Sequence, residues 1–328
     1  MNETVLVTGA AGYIGSHACK VLNRQGWRPV AYDNFSRGHR EFVKWGPLVE
    51  GDIRETDKLI RVLTEYKPIA VLHFAGLIDA GESVLAPFRY FDNNVAGTLS
   101  LVRAMASSGL RRIVFSSTCA TYGAPNVSFI SEGAEQCPVS PYGESKLIIE
   151  KMLRQLTAEG FRTVSLRYFN AAGADPDSEI GEWHEPESHL IPLAIDALSG
   201  SVSLRIFGSD YPTPDGTCIR DYVHVIDLAE AHVRALEWLV GDATPTFEAL
   251  NLGTGRGYSN LEVIAKIENV AGEKLHYAFA SRRPGDSPRL VADATRAYTF
   301  LKWRPAHSDL DTIIRTAYCW HKNSHVRT

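Results

Sequence analysis

Thr4-Val5-Leu6-Val7-Thr8-Gly9-Ala10-Ala11-Gly12-Tyr13-Ile14-Gly15 joins a short β-branched run to three glycines spaced three apart. Ile14, Ala18, Val21 and Leu22 then recur at three- and four-residue intervals, so a helix opens here, and Gly26 is placed to stop it. Glycine lets a turn take positive φ and lets backbone approach a phosphate closely. The helix N-terminus adds free N–H donors and a partial positive charge, which suit a pyrophosphate. The spacing is Gly-x-x-Gly-x-x-Gly and not the commoner Gly-x-Gly-x-x-Gly, and a plain tight βα turn would read the same way. Asp33 ends the second strand, near the ~20-residue offset of an acid that binds a ribose 2′-hydroxyl. An aspartate there favours NAD over NADP, although Arg37 is close enough to receive a 2′-phosphate. Asp52, after the third strand, reads equally as an acceptor for the adenine amine or as a cap for a helix near Glu55.

Working outward, short β-branched runs at Val5 to Thr8, Pro29 to Tyr32, Leu48 to Glu50, Ile69 to Phe74, Arg112 to Ser116 and Thr163 to Tyr168 alternate with helix-like stretches. Such alternation predicts a parallel sheet covered on both faces, with its ligand at the carboxyl ends of the strands. From Ala171 to Gly216 the chain is rich in Gly, Pro, Asp and Ser, a loop texture. Helices are expected at Ile226 to Val240 and Ser259 to Ala271, a strand at Ala249 to Leu252, and an N-cap at Asp293-Ala294-Thr295. The expected fold is α/β, a Rossmann-like doubly wound parallel sheet with a smaller C-terminal α/β substrate-binding lobe. Residues 1–171, rejoined by about 220–252, should form the first lobe, and residues 172–328 mainly the second.

The 328 residues are 45% apolar and 22% charged, the composition of an ordinary globular chain. Lysine plus arginine number 34 against 38 acids, a net charge of −4 that gives no footprint for nucleic acid or an anionic membrane. No run approaches the roughly 20 apolar residues of a membrane helix, and Met1 to Val7 does not read as a signal peptide. Cys19, Cys119, Cys137, Cys218 and Cys319 are scattered, with no metal-ligand spacing, so reduced thiols, a cytoplasmic setting and no metal are expected.

Tyr142 and Lys146 lie four apart, after Ser140-Pro141, at a helix start. Residues i and i+4 share a face, and an ammonium beside a phenol favours the phenolate. Tyr142 could then take a proton from a sugar hydroxyl as hydride leaves the carbon. The pair follows one βα unit after Ser116-Ser117-Thr118-Cys119-Ala120-Thr121-Tyr122-Gly123, where Thr118 would share that proton network at the carboxyl edge of the sheet.

Longer runs carry a family likeness. They are Val71-Leu72-His73-Phe74-Ala75-Gly76, Gly81-Glu82-Ser83-Val84, Tyr90 to Leu99, Leu166 to Ala174, Phe207-Gly208-Ser209-Asp210-Tyr211, Asp215 to Val225, Asn251-Leu252-Gly253-Thr254-Gly255 and Arg282-Arg283-Pro284-Gly285-Asp286. Over about residues 4 to 305 the chain resembles the extended short-chain dehydrogenases/reductases, and within them the UDP-glucose 4-epimerases. Gly181 to Glu187 is similar to a bacterial branch that includes enzymes of exopolysaccharide synthesis.

The resemblance implies tightly held NAD against Gly9, Gly12, Tyr13, Ile14, Gly15, Asp33, Asn34, Asp52, Ile53, Phe74, Ala75, Gly76, Asn93, Ser116, Tyr142, Lys146 and Tyr168. It implies Thr118, Tyr142 and Lys146 as the catalytic set. It implies a UDP-sugar held by Thr118, Tyr142, Asn170, His189, Leu190, Phe207, Arg220, Arg283, Asp286 and Leu290. Carbon 4 of the sugar would be oxidised, the 4-keto sugar turned over, and hydride returned to its other face. A homodimer through helices around 95–108 and 142–157 is implied as well.

Four positions depart from the family pattern. Thr118 stands where serine is common, His189 where an asparagine contacts the sugar nucleotide, Leu290 at the position that gates sugar size, and Ile78 where some members carry lysine. Cys119 and Ala120 occupy the places where the related 4,6-dehydratases and decarboxylases carry acids, which argues against both chemistries. A UDP-xylose/UDP-arabinose 4-epimerase would need the same residues. A non-catalytic NAD-responsive binding protein would have no use for the Thr118–Tyr142–Lys146 set.

Overall fold

The computed structural model describes residues 3–200, 203–241, 244–283 and 285–323. Its strands are β1 (Thr4–Thr8), β2 (Arg28–Asp33), β3 (Leu48–Glu50), β4 (Ala70–His73), β5 (Arg112–Thr118), β6 (Arg162–Tyr168), β7 (Asn170–Ala172), β8 (Leu204–Phe207), β9 (Ile219–His224), β10 (Thr246–Leu252), β11 (Gly257–Ser259), β12 (Tyr277–Ala280) and β13 (Arg289–Leu290). The helices are α1 (Tyr13–Arg24), α2 (Thr56–Tyr66), α3 (Ala80–Leu85), α4 (Pro87–Tyr90), α5 (Gly97–Ser107), α6 (Pro141–Gln155), α7 (Leu190–Ala197), α8 (Val225–Gly241), α9 (Asn260–Ala271), α10 (Thr295–Phe300) and α11 (Leu310–Asn323).

The main sheet has seven strands in the order β10-β6-β5-β4-β1-β2-β3, every pairing parallel. The Rossmann-like doubly wound sheet expected from the sequence is therefore present. Strand order reverses between β1 and β4, the place where an open α/β sheet opens a crevice for a ligand. Side chains alternate across the pleat. Val5, Val7, Leu72 and Val114 face α1 and α8, with Leu22, Leu228, Val233 and Leu236 in one core. Leu6, Val71, Ile113 and Phe115 face the opposite layer, packing with Leu59, Leu101, Met105, Ile149 and Leu153.

The remaining strands form a four-stranded sheet, β11-β9-β13 with β7 on β9, and a β8–β12 pair. Ile191, Ile195, Ile206, Val263, Ile267, Ile313 and Ile314 build a separate core there. β5 runs two residues beyond the expected Ser116, because pairing continues through the polar positions Ser117 and Thr118, whereas β4 is a residue shorter at each end than the expected Ile69 to Phe74. Gly26, at φ +82°, ends α1 one residue after Gln25. Ser259 caps α9 with a full capping box to Glu262. Of the two readings left open for Asp52, the helix cap is not taken, and the short helix expected at Asp293-Ala294-Thr295 does open there. The cap of α2 is Glu55, because Asp52 is held by Arg54 and Asn34. Ala294 holds the cap position of α10, and Asp293 only accepts from the Thr295 N–H. No described helix is long and apolar enough to cross a membrane.

Candidate active site

The β1–α1 turn lies at the carboxyl edge of the sheet and is packed to backbone contact. Gly9 sits at φ +72°, and a Cβ there would lie 2.5 Å from the Ala75 nitrogen. A Cβ on Gly15 would come within 2.1 Å of the Gly9 carbonyl oxygen. Gly12 caps α1 without a side-chain hydrogen bond, and no acid lies in the first turn, so the positive end of the helix is open to an anion. Asp33 braces this turn. It is buried, one carboxylate oxygen accepts from the Ala11 N–H (2.9 Å), and the other accepts from the Phe35 N–H (2.8 Å). Burial pulls its pKa up, and these backbone donors oppose that. Arg37 grips the Glu82 carboxylate and the Glu185 carbonyl. Its charge is already matched, which disfavours a 2′-phosphate.

Gly9, Gly12, Asp33, Asn34, Ile53, Phe74, Ala75, Gly76 and Asn93 line one cleft. Tyr32, Ser36, Arg37, Gly38, Gly51 and Leu77 line it as well, and sequence reading missed all of these except Arg37. Asp52 stands beside the cleft, its pKa held well below the usual carboxylate range, chiefly by Arg54. The Tyr13 hydroxyl donates to the Gly173 carbonyl (2.5 Å), and Ile14 packs into the core, so both side chains serve the scaffold. Asn94 was also missed. It holds both backbone groups of Leu77 from one wide, π-type turn over Phe91–Ala96. The adjacent Asn93 was the available signal.

Ser140 caps α6, with Pro141 in its first turn. A Cβ on Gly143 would meet the Ala120 carbonyl oxygen at 2.6 Å, so the helix start presses against the turn that follows β5. That contact brings Tyr142 to Thr118, which stands at the end of β5 level with Tyr168 on β6. Lys146, one turn on, is 3% exposed and donates to the Ser116 carbonyl (2.9 Å) over the Phe115 ring. Burial lowers its pKa to about 8, against the opposing pull of Glu150. The expectation that Lys146 draws the Tyr142 phenol down is not met in the chain by itself. Burial pushes that phenol well up, Tyr168 adds to the rise, and the hydrogen bond with Thr118 opposes it without overcoming it. Tyr168 is pushed up to about 12 by burial.

On the other lobe, Asp286 joins Arg220 (3.2 Å) to Arg283 (3.5 Å), and Arg283 lies over the Phe207 ring. Pro284 of the quoted motif lies outside the described residues. Asn170 donates to the Asp221 carbonyl. Leu290, level with Arg220, packs with Cys119 and Phe169, so the two halves of the site meet beside Thr118. His189 caps α7, which begins at Leu190, and its ring pairs with Glu182 and Glu187.

The model of the NAD dependent epimerase/dehydratase family matches residues 5–253. The chain belongs to that family. It is 53% identical over 326 residues to a UDP-glucose 4-epimerase of Rhizobium leguminosarum bv. trifolii, with 98% of each chain covered. Within the family, the UDP-glucose 4-epimerase of Brucella ovis, solved with NAD, matches at 50% identity and TM-score 0.94, covering 97% of this chain and 98% of that one. One from Stenotrophomonas maltophila, solved with NAD and formylated UDP-arabinopyranose, matches at 38% identity and TM-score 0.95 over all of both chains. The cofactor is NAD. The residues fit it: close-approach glycines, an open helix N-terminus, a carboxylate at the end of β2 and a neutralised Arg37.

Proposed function

We propose that this protein interconverts UDP-glucose and UDP-galactose. The observation that carries the reading is the Thr118–Tyr142–Lys146 set, gathered at the carboxyl end of β5 beside the glycine-turn cleft. Bound NAD would take hydride from sugar carbon 4 and return it, and its positive charge would favour the Tyr142 phenolate that burial opposes. Tyr142 would receive the 4-hydroxyl proton and later give it back, with Thr118 sharing the hydrogen bond. Arg220 and Arg283 would hold the diphosphate through charge-assisted, fork-shaped contacts, leaving the sugar free to turn over. Their bridge through Asp286 supports this by fixing both guanidinium groups before substrate arrives.

In this reading residues 1–171, with about 220–252, make the cofactor lobe, and residues 172–328 mainly the UDP-sugar lobe. The protein would be a cytoplasmic homodimer, similar in Gly181 to Glu187 to a branch that includes enzymes of exopolysaccharide synthesis. Leu85 (87% exposed) and Phe88 (89% exposed), on the short helices packed against α6, support a dimer contact through that layer.

The test is incubation of purified protein with UDP-galactose, and separately with UDP-xylose, without added NAD, and product analysis by proton NMR. UDP-glucose should form. Turnover of UDP-xylose alone would reassign the substrate to pentoses. The variant Tyr142→Phe should keep bound NAD and lose most activity; normal turnover by it would refute the role of Tyr142.

A further inference from the structure

The connection from β7 to α7 carries Glu182, His184, Glu187 and His189, and one donor atom of each lies within 4.8 Å of the others. His189 Nδ1 is 2.9 Å from Glu182 Oε1 and 3.1 Å from Glu187 Oε1. His184 Nδ1 is 3.4 Å from Glu182 Oε1 and 3.7 Å from Glu187 Oε2. A tetrahedral zinc with bonds of about 2.0–2.1 Å has ligand–ligand edges of roughly 3.3–3.4 Å. The three edges that share Glu182 Oε1 and Glu187 Oε2, at 2.9, 3.4 and 3.7 Å, bracket that length, so little movement separates the cluster from a coordination shell.

We propose that Glu182, His184, Glu187 and His189 form a tetrahedral two-histidine, two-carboxylate site for a divalent transition cation of the zinc class.

A second observation points to a ligand. Glu187 Oε2 and His184 Nδ1 are buried, face each other at 3.7 Å and make no well-formed hydrogen bond, and the Glu187 side chain is only 9% exposed. Its other oxygen is already oriented by the N–H groups of Ser188 and His189, which is how supporting contacts aim a metal ligand. Glu182 is 6% exposed, and Trp320 donates to its carbonyl. Two buried carboxylates require two positive charges. One divalent ion held by two imidazole nitrogens and two carboxylate oxygens meets that need. His189 is 46% exposed, which leaves a way in.

The neighbouring acidic group differs. Asp175, Asp177 and Glu179 surround the Lys20 ammonium, which fills the place a cation would take. The expectation of no metal rested on cysteine spacing, and imidazole and carboxylate ligands leave no such signature. An ion here would fasten the connection before α7 beside Tyr13, whose ring stands edge-on to His184, and so beside the cofactor turn.

The test uses NAD-loaded protein treated with chelator and desalted, then titrated calorimetrically with zinc sulfate in two buffers of different ionisation enthalpy. One zinc per chain should bind. Cobalt(II) in its place should give the intense visible bands of a tetrahedral ion. His184→Ala and Glu187→Gln should each weaken binding by about 100-fold or more, with the far-ultraviolet spectrum unchanged, whereas Asp177→Asn should have no effect. Failure to take up stoichiometric zinc, or undiminished uptake by both variants, would overturn the proposal. None of these readouts depends on turnover.

Discussion

Glu150 lies on α6 one turn beyond Lys146, and Arg167 lies on β6 one residue before Tyr168, so their pairing sets α6 against the sheet. Each side chain is 3% exposed. The Glu150 carboxylate accepts from Arg167 through Nε (2.9 Å) and Nη2 (2.5 Å), from the Ser117 hydroxyl (2.6 Å) and from the Ser165 hydroxyl (2.9 Å). Arg167 Nη1 donates to the Tyr122 hydroxyl (2.9 Å). Burial pulls the Glu150 pKa up, but Arg167 and the two hydroxyls outweigh it and hold the carboxyl below its ordinary value. Glu150→Gln preserves volume and removes the charge, leaving a buried guanidinium uncompensated. Breaking one partner of such a pair costs about 3–5 kcal/mol. At roughly 2 °C per kcal/mol for a chain of this size, the thermal midpoint should fall by roughly 6–10 °C. The double variant Glu150→Leu/Arg167→Met removes both charges and should recover half or more of the loss. Urea unfolding followed by tryptophan fluorescence, with all proteins saturated in NAD, measures each cost. The folded pKa is depressed, so the stabilisation is fully present above the unfolded value near pH 4.5 and is lost as pH falls through the folded value. A cost below about 1 kcal/mol for Glu150→Gln, or a double variant as unstable as the sum of the singles, would refute the account.

Two further outcomes follow from the site. Gly9→Ala places a methyl 2.5 Å from the Ala75 backbone nitrogen at a positive φ, so the variant should lose bound NAD or fail to fold; equilibrium dialysis of NAD with the native-like fraction checks this, and unchanged affinity would contradict it. Burial lowers Lys146 to about pH 8 from 10.5, so between those values the unfolded chain holds a proton that the folded chain lacks. Stability should therefore rise with pH across that window relative to Lys146→Met, and unfolding of the cofactor-free proteins at pH 7.5 and 10 reads the difference. A difference that does not change with pH would show that Lys146 is not shifted by burial.

Much of this protein was legible locally. The β-branched runs, the glycine turn, Asp33 at the end of β2 and the Tyr142–Lys146 spacing are each set by neighbours within a few residues, where backbone geometry and helical periodicity act directly. What packing decided joins residues distant in sequence. Glu150 stands i+4 from Lys146, a charged residue closing an apolar run, and that was a readable signal; its partner on β6 was not, because pairing depends on how α6 crosses the sheet. The same holds for Asp286 reaching Arg220 on β9, and for Arg37 held by Glu82. The state of the Tyr142 phenol is the sharpest case. Sequence places an ammonium four residues away, but the fold turns that ammonium to the Ser116 carbonyl and encloses the phenol, so desolvation overrides the expected attraction. Spacing along a helix determines which groups share a face, whereas burial and partner geometry, fixed only when the layers close, determine what charge those groups carry.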